Sequence, residues 1–410
     1  MADRLISQLR SGAGDIDESE QGNILRHVAA LSASKSADGL VDPKLVLSWL
    51  LVHLGAGAFW VGALVPVREA GALLPQLLTA GRIRALARRK WAWAFGAAGQ
   101  GAAAALIVVA ALTLEGAAAG AVILGLLAVL ALARSVCSVS YKDVLGKTVA
   151  KTRRGQTTGL ASTAASVTVI GFAALLITGW GDKPAIVLSA IALAALLWGV
   201  AAAVMAGMSE SVSDEAADDT VTPLRLLWER PQLARFVIAR GLLVGTALAP
   251  SYLVLLAGGD GVFSALGALV LASSLAALLS SYVWGRMADR SSRQVLIWAG
   301  VAGALALTLA LVLGETGAGW AMPLALFALM IAYHGVRQGR STYLVDMAGE
   351  GDRAAYTAVS NTAIGLLLLA VGAIAAAVAE FSVPLVIGGF TVMCLGGAVV
   401  ALGLDEVEHG

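Results

Sequence analysis

The sequence predicts an all-α polytopic membrane protein with twelve transmembrane helices in two pseudo-symmetric six-helix halves. Of its 410 residues, 59% are hydrophobic and 13% are charged, whereas soluble proteins average roughly 25% charged residues. Apolar runs long enough to cross about 30 Å of hydrocarbon recur along the chain, and the short alternating strands of a membrane barrel do not appear. The longest polar stretch, at 208–235, lies in the middle of these runs.

Ten apolar segments follow residue 90, and each is long enough to cross a bilayer as a helix. They are 93–114, 116–136, 158–179, 184–207, 236–257, 261–284, 295–313, 320–336, 355–379 and 382–404. Upstream lie a longer apolar block, 45–67, and a shorter one, 70–80. Whether these two blocks form one or two membrane-spanning helices decides the topology.

The distribution of Lys and Arg predicts the orientation. One alternate set of loops carries nineteen of them between Arg82 and Arg353, whereas the other set carries only Lys183. Because basic loops stay in the cytoplasm, we expect both termini inside a bacterial inner (plasma) membrane. Two helices must then precede residue 81. The first 40 residues lack an apolar core with a small-residue cleavage site, so no signal peptide is expected.

Weak internal similarity indicates a duplicated half. "GRIRALARRK" at 81–90 aligns with "GRMADRSSRQ" at 285–294, and Tyr141 aligns with Tyr343. The offset of about 200 residues is typical of transporters built from repeats, and it maps the first two helices onto about 32–54 and 58–81. The predicted organisation is a tail (1–31), a first half (32–207), a cytoplasmic central loop (208–235), a second half (236–404) and a C-terminal tail (405–410).

A local pattern favours a different start. Asp42 followed by Pro43 is typical of a helix N-cap and first helical position. It would give one helix from 43 to 67 and a re-entrant 70–80, with Arg68 and Glu69 at the outer interface. Two helices are favoured by the repeat and by the need for an even number of crossings before residue 81. They place Arg68 and Glu69 at the centre of the second helix.

The loop "GRMADRSSRQ" carries the pattern G-x-x-x-D-R-x-x-R through Gly285, Asp289, Arg290 and Arg293. Here the chain resembles the major facilitator superfamily of secondary transporters, over about 32–404. The resemblance implies that these four residues help to latch a cytoplasmic gate. A plain basic loop that obeys the positive-inside rule is the alternative. The first-half copy departs from the pattern, because Ala85 replaces the Asp.

The resemblance also implies a function. We expect secondary active transport of a small solute by alternating access, coupled to protons, in a monomer that contacts the lipid bilayer. A facilitative uniporter is one alternative, and a non-transporting or lipid-handling protein with this fold is another.

Charged residues within the apolar layer are candidates for the site, since such residues are costly and usually face the bundle interior. Arg68 and Glu69 are adjacent and point about 100 degrees apart on a helix, so they cannot simply pair. We expect both to face a central cavity. Glu69 would be the protonatable site, and Arg68 would bind an anionic substrate or an acid on the first helix. A structural ion pair is the alternative.

Other residues complete the candidates for substrate binding or proton coupling. Asp38 and Asp42, four residues apart, are expected to share a helix face with Lys35 and Arg240 as conceivable partners, or else to meet water near a helix start. Arg134 resembles a family arginine linked to proton coupling, with a membrane-edge arginine as the alternative. His334 is expected to line the inner vestibule.

The balance of intramembrane charges favours some substrates over others. Acids are scarce in the predicted helices, which argues against organic cations, and several arginines favour an anion or a zwitterion. "GKT" at 146–148 is no phosphate loop, since Tyr141 stands where the motif needs Gly. No zinc-type His/Cys spacing, catalytic dyad or basic-aromatic surface for nucleic acid is found. The sequence therefore predicts no enzyme, cofactor, metal or nucleic-acid partner.

Overall fold

The computed structural model describes residues 18–150, 152–178, 183–212, 225–257, 259–348 and 353–407. Most of the predicted tail (1–31) and about half of the predicted central loop (208–235) lie outside them. The described chain is helical, with no strand among these residues. Its helices are α1 (Glu18–Leu40), α2 (Val46–His53), α3 (Ala58–Arg84), α4 (Lys90–Thr113), α5 (Gly116–Thr148), α6 (Arg154–Thr178), α7 (Lys183–Ala206), α8 (Leu226–Glu229), α9 (Pro231–Leu242), α10 (Gly245–Ala257), α11 (Gly259–Ala288), α12 (Ser292–Gly314), α13 (Ala321–Met347), α14 (Arg353–Ala379) and α15 (Val383–Leu402).

These helices form twelve spans. Within the described residues, nine spans are long and apolar enough to cross a membrane, with α9 and α10 counted as one. The α1–α2 pair, α3 and α13 complete the twelve. These three carry charged and polar residues within the apolar layer, which lowers their hydropathy.

The first span is broken in the middle. Helix α1 ends at Leu40 and α2 begins at Val46. Between them, the Asp42 carboxylate accepts hydrogen bonds from the backbone N–H of Lys44 at 2.7 Å and of Leu45 at 3.1 Å. The carboxylate caps the turn in the way that the Asp-Pro pattern indicates, and the regular helix follows at Val46 with Leu45 as its N-cap residue. The cap starts a short helix within the span, and α2 ends at His53, so the alternative of one helix from 43 to 67 is wrong.

Helix α1 also begins at Glu18, well before the predicted start near residue 32. Ile24 and Ala30 on this early part are buried, so one face packs against the rest of the half. At its beginning, Glu20 pairs with Arg153 at 3.0 Å. Polar residues interrupt the apolar pattern of 18–31, so no apolar run in the sequence marks this packed face.

The seventh span is broken at the equivalent point. Helix α9 ends at Leu242 and α10 begins at Gly245, close to 200 residues after the break in the first span. Matching breaks in the first helix of each half agree with the predicted pseudo-symmetry, and broken helices free backbone groups and make room for ligands.

The most extensive contacts between the two halves run along two helix pairs, α3 with α14 and α6 with α11. An added Cβ on Gly372 would overlap the Pro66 ring, and one on Gly62 would lie 3.1 Å from the Ala376 Cα. In the other pair, Gly267 faces Leu176. These contacts lie toward the end of the bundle that carries loops 54–57 and 380–382, opposite the basic loops. We call it the acidic end.

Candidate functional site

Charged side chains from both halves gather between them, near the breaks in the first and seventh spans. We call this group the central cluster. It contains Lys35, Asp38, Asp42, Lys44, Arg68, Glu69, Arg134, Arg240, Arg337 and Arg340. With seven bases and three acids it carries a clear excess of positive charge, and one such charge within the apolar layer is already costly.

Asp38 joins three helices of the first half. Its Oδ1 accepts from Arg68 Nη2 of α3 at 2.9 Å, and its Oδ2 contacts Arg134 Nη1 of α5 at 2.5 Å. Both carboxylate oxygens are therefore used by arginines. Arg68 thus binds an acid on the first helix, one of the two partners considered for it.

The expectation that Asp38 and Asp42 share a helix face is wrong. Helix α1 ends at Leu40, so Asp42 lies in the turn that leads into α2 and caps that turn. Neither acid forms an ion pair with Arg240 or Lys35 among the described residues. Lys35 instead donates to Ser162 Oγ of α6 at 2.5 Å.

Glu69 faces the other half. It lines a narrow cavity together with Arg240, Tyr333, Arg337 and Arg340. The cavity encloses about 30 Å³, which is room for about one water molecule. The cations that act on the Glu69 carboxylate include Lys44, Arg68, Arg337 and Arg340, and Glu69 in turn acts on Arg240. Arg68 therefore contacts an acid of its own half, whereas Glu69 faces the other half, as expected for adjacent residues that point about 100 degrees apart on a helix.

Lys44 is the clearest member that sequence reasoning undervalued. Its side chain is buried and its Nζ lies 3.7 Å from the centre of the Tyr333 ring. This is a cation–π contact, and it links the turn after α1 in the first half to α13 in the second. The repeat places Lys44 near the middle of a first helix at 32–54, but it does not show that the helix breaks there.

Arg240 is a buried arginine that forms no ion pair within the described part of the chain. It is 5% exposed, and it donates to Ser360 Oγ at 2.7 Å and to Asn361 Oδ1 at 3.1 Å, both on α14. No carboxylate lies within 4 Å of it among the described residues, and its buried Nε has no hydrogen-bond partner there. The guanidinium therefore lies beside the cavity with its charge not neutralised by direct contact.

Lys35 and Arg240 occupy similar places in the two halves. Lys35 on the first span bonds to Ser162 on the fifth, and Arg240 on the seventh bonds to Asn361 on the eleventh. Each half thus presents a base held by a neutral polar group. Lys35 and Arg240 do not align residue for residue, because the offset between the two repeats varies along the chain.

His334 lies next to the cluster. Its ring packs edge-on against Tyr333 at 5.3 Å between centroids. Its buried Nε2 has no hydrogen-bond partner within the described part of the chain. A role in an inner vestibule stays a prediction.

The loop motif has a local structure of its own. Arg293 pairs with Glu406 at 3.1 Å and donates to the Leu404 carbonyl at 3.0 Å, and Ser291 Oγ donates to Glu406 at 2.7 Å. These bonds hold the C-terminal segment to the start of α12 within one half. Asp289 and Arg290 are exposed, and Gly285 lies within α11. Their part in a gate stays a prediction.

The first half contains a matching arrangement. Glu210, which follows the sixth span as Glu406 follows the twelfth, accepts from the backbone N–H of Arg89 at 3.1 Å and of Lys90 at 2.8 Å. Each half therefore ties the end of its sixth span to the start of its third through a glutamate. The sequence does not reveal this correspondence, because the two acids lie outside the stretches in which the two halves are visibly similar.

Comparisons with known proteins agree on the fold. No protein-family model and no curated protein matches the sequence. The structure is similar to that of a mutant form of the nucleoside transporter NupG, with a TM-score of 0.73, 12% identity, and coverage of 93% of this chain and 100% of that one.

Two further solved structures are similar over almost their whole length. A D-xylose–proton symporter matches with a TM-score of 0.69 and 12% identity, covering 94% of this chain and 98% of that one. A POT family transporter in complex with a thioalcohol-conjugated peptide matches with a TM-score of 0.65 and 11% identity, covering 92% and 94%. At such identities the likeness concerns the fold. The chain has the twelve-helix fold of major facilitator superfamily transporters, as the loop motif predicts.

Proposed function

We propose that the protein is a secondary active transporter that moves a small anionic solute, or a zwitterion held by its anionic group, by alternating access. Arg240 is the observation that carries this proposal. A buried arginine at mid-span is costly without a counter-charge. Arg240 has only neutral hydrogen-bond partners and an Nε without one, and the acid that acts on its charge, Glu69, lines the same cavity beyond ion-pair distance. A substrate carboxylate or phosphate would supply the missing charge with the geometry that guanidinium prefers.

The excess of bases in the central cluster supports the same substrate class. Arg337 and Arg340 line the cavity with Arg240, while Glu69 is its one acidic lining residue. The cavity as it stands admits little more than a water molecule, so a solute requires the halves to separate further. The two broken spans border the place where this separation occurs.

Glu69 is the proposed proton-coupling residue. Its carboxylate competes with an anionic substrate for the same cations, because Arg337 and Arg340 act on it. Protonation of Glu69 would release those cations to the substrate. This competition couples the binding of the proton to the binding of the substrate, although the two do not contact each other.

The proposed orientation places the basic loops in the cytoplasm of a bacterial inner membrane, with both termini inside. The halves then meet at the outer side, through α3 with α14 and α6 with α11. The structure would correspond to a form that is closed at the outer side. The names of the similar structures include nucleoside and xylose–proton transporters, which supports a small solute as cargo and a proton as co-substrate.

The test is a thermal-shift screen of the detergent-solubilised protein against carboxylates, phosphate esters, amino acids, sugars and organic cations. A ligand that binds the folded state raises the apparent stability in proportion to RT ln(1+[L]/Kd). We expect a hit among the anions or zwitterions, with affinity reduced at least about tenfold by Arg240→Gln, since a hydrogen bond to a charged group is worth about 1.5–3 kcal/mol. Arg235→Gln is the matched control, because Arg235 lies on the same helix and is exposed.

Flux into proteoliposomes then tests coupling. An imposed pH gradient should drive uptake of the hit against its concentration gradient. Uptake that only follows the substrate gradient would indicate the uniporter alternative. A response to organic cations alone, or no response to any soluble compound, would overturn the proposed substrate class.

A further inference from the structure

A groove on the outer surface of the second half has features of a ligand site. It lies between the ends of α11 and α12 next to the basic loop, and it encloses about 650 Å³. Its lining includes Tyr282, Arg286 and Arg290 from α11 and the loop, and Gln294 and Trp298 from α12. Its volume falls within the usual range of ligand pockets. It is separate from the central cluster.

The groove lies on a surface that faces away from the helix bundle. On α12, Trp298, Leu305 and Val312 recur every seven residues and are 57%, 67% and 61% exposed. The opposite face of α11 packs inward, since Trp284 Nε1 donates to the Ile331 carbonyl of α13 at 2.9 Å. Exposed apolar residues at helical spacing are expected to contact lipid tails in a membrane protein.

The polar residues of the groove lie at one end of this apolar surface. Arg286 lies close to Tyr282, with Nη1 3.3 Å from the phenol oxygen and the guanidinium 5.9 Å from the ring centre. Trp298 and Tyr282 are both largely exposed. Exposed Trp and Tyr rings are typical of the headgroup level of a bilayer, so the groove marks the depth at which phospholipid phosphates lie.

The charges in the groove are unbalanced. Arg286 and Arg290 are exposed, and neither forms an ion pair with an acid within 4 Å among the described residues. By contrast, Arg293, three residues further on, is already bound to Glu406. Two arginines that share a groove with no acid in its lining attract a phosphate group.

We propose that this groove binds one anionic phospholipid, such as phosphatidylglycerol. Its phosphate lies between Arg286 and Arg290, its headgroup hydroxyls are within reach of Gln294, and its acyl chains run along the apolar surface below Trp298. Basic pockets between transmembrane helices at the cytoplasmic side are suited to such headgroups. A lipid fits better than a soluble anion, because the groove opens directly onto the apolar surface. The proposal does not rest on the proposed transport function, since binding is measured directly.

The test is native mass spectrometry of the detergent-solubilised full chain with phosphatidylglycerol, phosphatidylcholine or inorganic phosphate. We expect one phosphatidylglycerol to bind at least fivefold more tightly than phosphatidylcholine. Arg286→Gln combined with Arg290→Gln should lower that affinity at least fivefold. The control pair, Arg88→Gln with Arg82→Gln, removes two exposed arginines from the equivalent region of the first half and should change it less than twofold.

A second measurement locates the lipid. Brominated phosphatidylglycerol should quench fluorescence in the wild type more than in Trp298→Phe, and brominated phosphatidylcholine should show a smaller difference between the two. Equal retention by the double variant, equal affinity for the two lipids, or full competition by millimolar inorganic phosphate would each overturn the proposal. The proposal would also be overturned if Trp298→Phe lowered quenching by the two brominated lipids to the same extent. This outcome can be read even if the double variant fails to fold.

Discussion

Arg68 on α3 donates to Asp38 on α1 at 2.9 Å, while its neighbour Glu69 faces the second half of the protein. Two adjacent charges in an apolar helix therefore serve two different interfaces. Arg68 joins helices within the first half, and Glu69 lines the cavity between the halves. The rotation of about 100 degrees per residue explains how one dipeptide does both.

Asp38→Asn should destabilise the first half. The carboxylate serves both Arg68 and Arg134, and an amide would leave two cations without a counter-charge. Removing one partner of a buried ion pair costs about 3–5 kcal/mol. Because these side chains are 15–30% exposed, we expect about 1–3 kcal/mol, seen as a lower melting temperature in detergent.

Asp42→Asn is the matched control for this change. Asp42 accepts from two backbone N–H groups of the turn, and the amide oxygen of asparagine can still cap the helix. We expect a loss well below that of Asp38→Asn. Equal losses for the two variants would show that the ion pairs of Asp38 contribute no more than a cap.

The helices were largely predictable from the sequence, because the length of an apolar run and the distribution of basic loops depend on local composition. The end of α1 was harder to predict. The Asp42 cap is a local feature, but only the packed structure shows that the chain continues in the same direction after it. The early start at Glu18 was missed because its buried face is short and interrupted by polar residues.

The partners within the site were mostly beyond prediction. Asp38 and Arg134 are 96 residues apart, and Arg240 bonds to Ser360 and Asn361 about 120 residues away. The cost of charge in an apolar layer identified these residues as candidates. It does not determine which of several candidates meet, because that depends on helix rotation and on the two breaks.

Glu69→Gln should change the pH dependence of substrate binding. In the wild type, protonation of Glu69 removes a negative charge that competes with the anion for Arg337 and Arg340. Affinity for the anionic hit should therefore rise as pH falls. The glutamine variant resembles the protonated form, so its affinity should be high and nearly independent of pH. Because several cations favour the ionised carboxylate, the rise is expected toward acid pH, and titrations by thermal shift from about pH 7 down to about pH 4 measure both.

Glu115→Gln is the control for Glu69→Gln, because Glu115 is an exposed carboxylate in a loop at the acidic end. It should retain the wild-type pH dependence. If Glu69→Gln also retains that dependence, another group carries the proton and the coupling role of Glu69 is wrong.

Glu380→Gln should weaken the closure of the acidic end. The Glu380 carboxylate after α14 accepts a hydrogen bond of 2.5 Å from the Phe59 N–H at the start of α3. A carboxylate at a helix N-terminus is favoured by the free N–H groups and the helix dipole. Loss of about 1 kcal/mol, typical of a cap, should raise about fivefold the fraction of molecules in which the two halves are separated at the acidic end.

A cysteine placed at Ala379, which is buried near this contact, reports the opening. The native Cys137 and Cys394 are both buried. Labelling by a membrane-impermeant maleimide should be about fivefold faster in Ala379→Cys with Glu380→Gln than in Ala379→Cys alone, in line with the lost cap. Equal labelling rates would show that the cap does not hold the halves together.

Gly372→Ala should separate the two halves at the α3–α14 contact. The added Cβ would overlap the Pro66 Cγ, and the proline ring cannot move away without its backbone. Overpacking of this kind costs about 1–3 kcal/mol, so we expect a lower melting temperature and faster maleimide labelling at Ala379→Cys. Gly388→Ala is the control, because its Cβ would meet no atom within 4 Å and alanine favours a helix. If both variants label at the wild-type rate, the glycine contact does not determine the closed form.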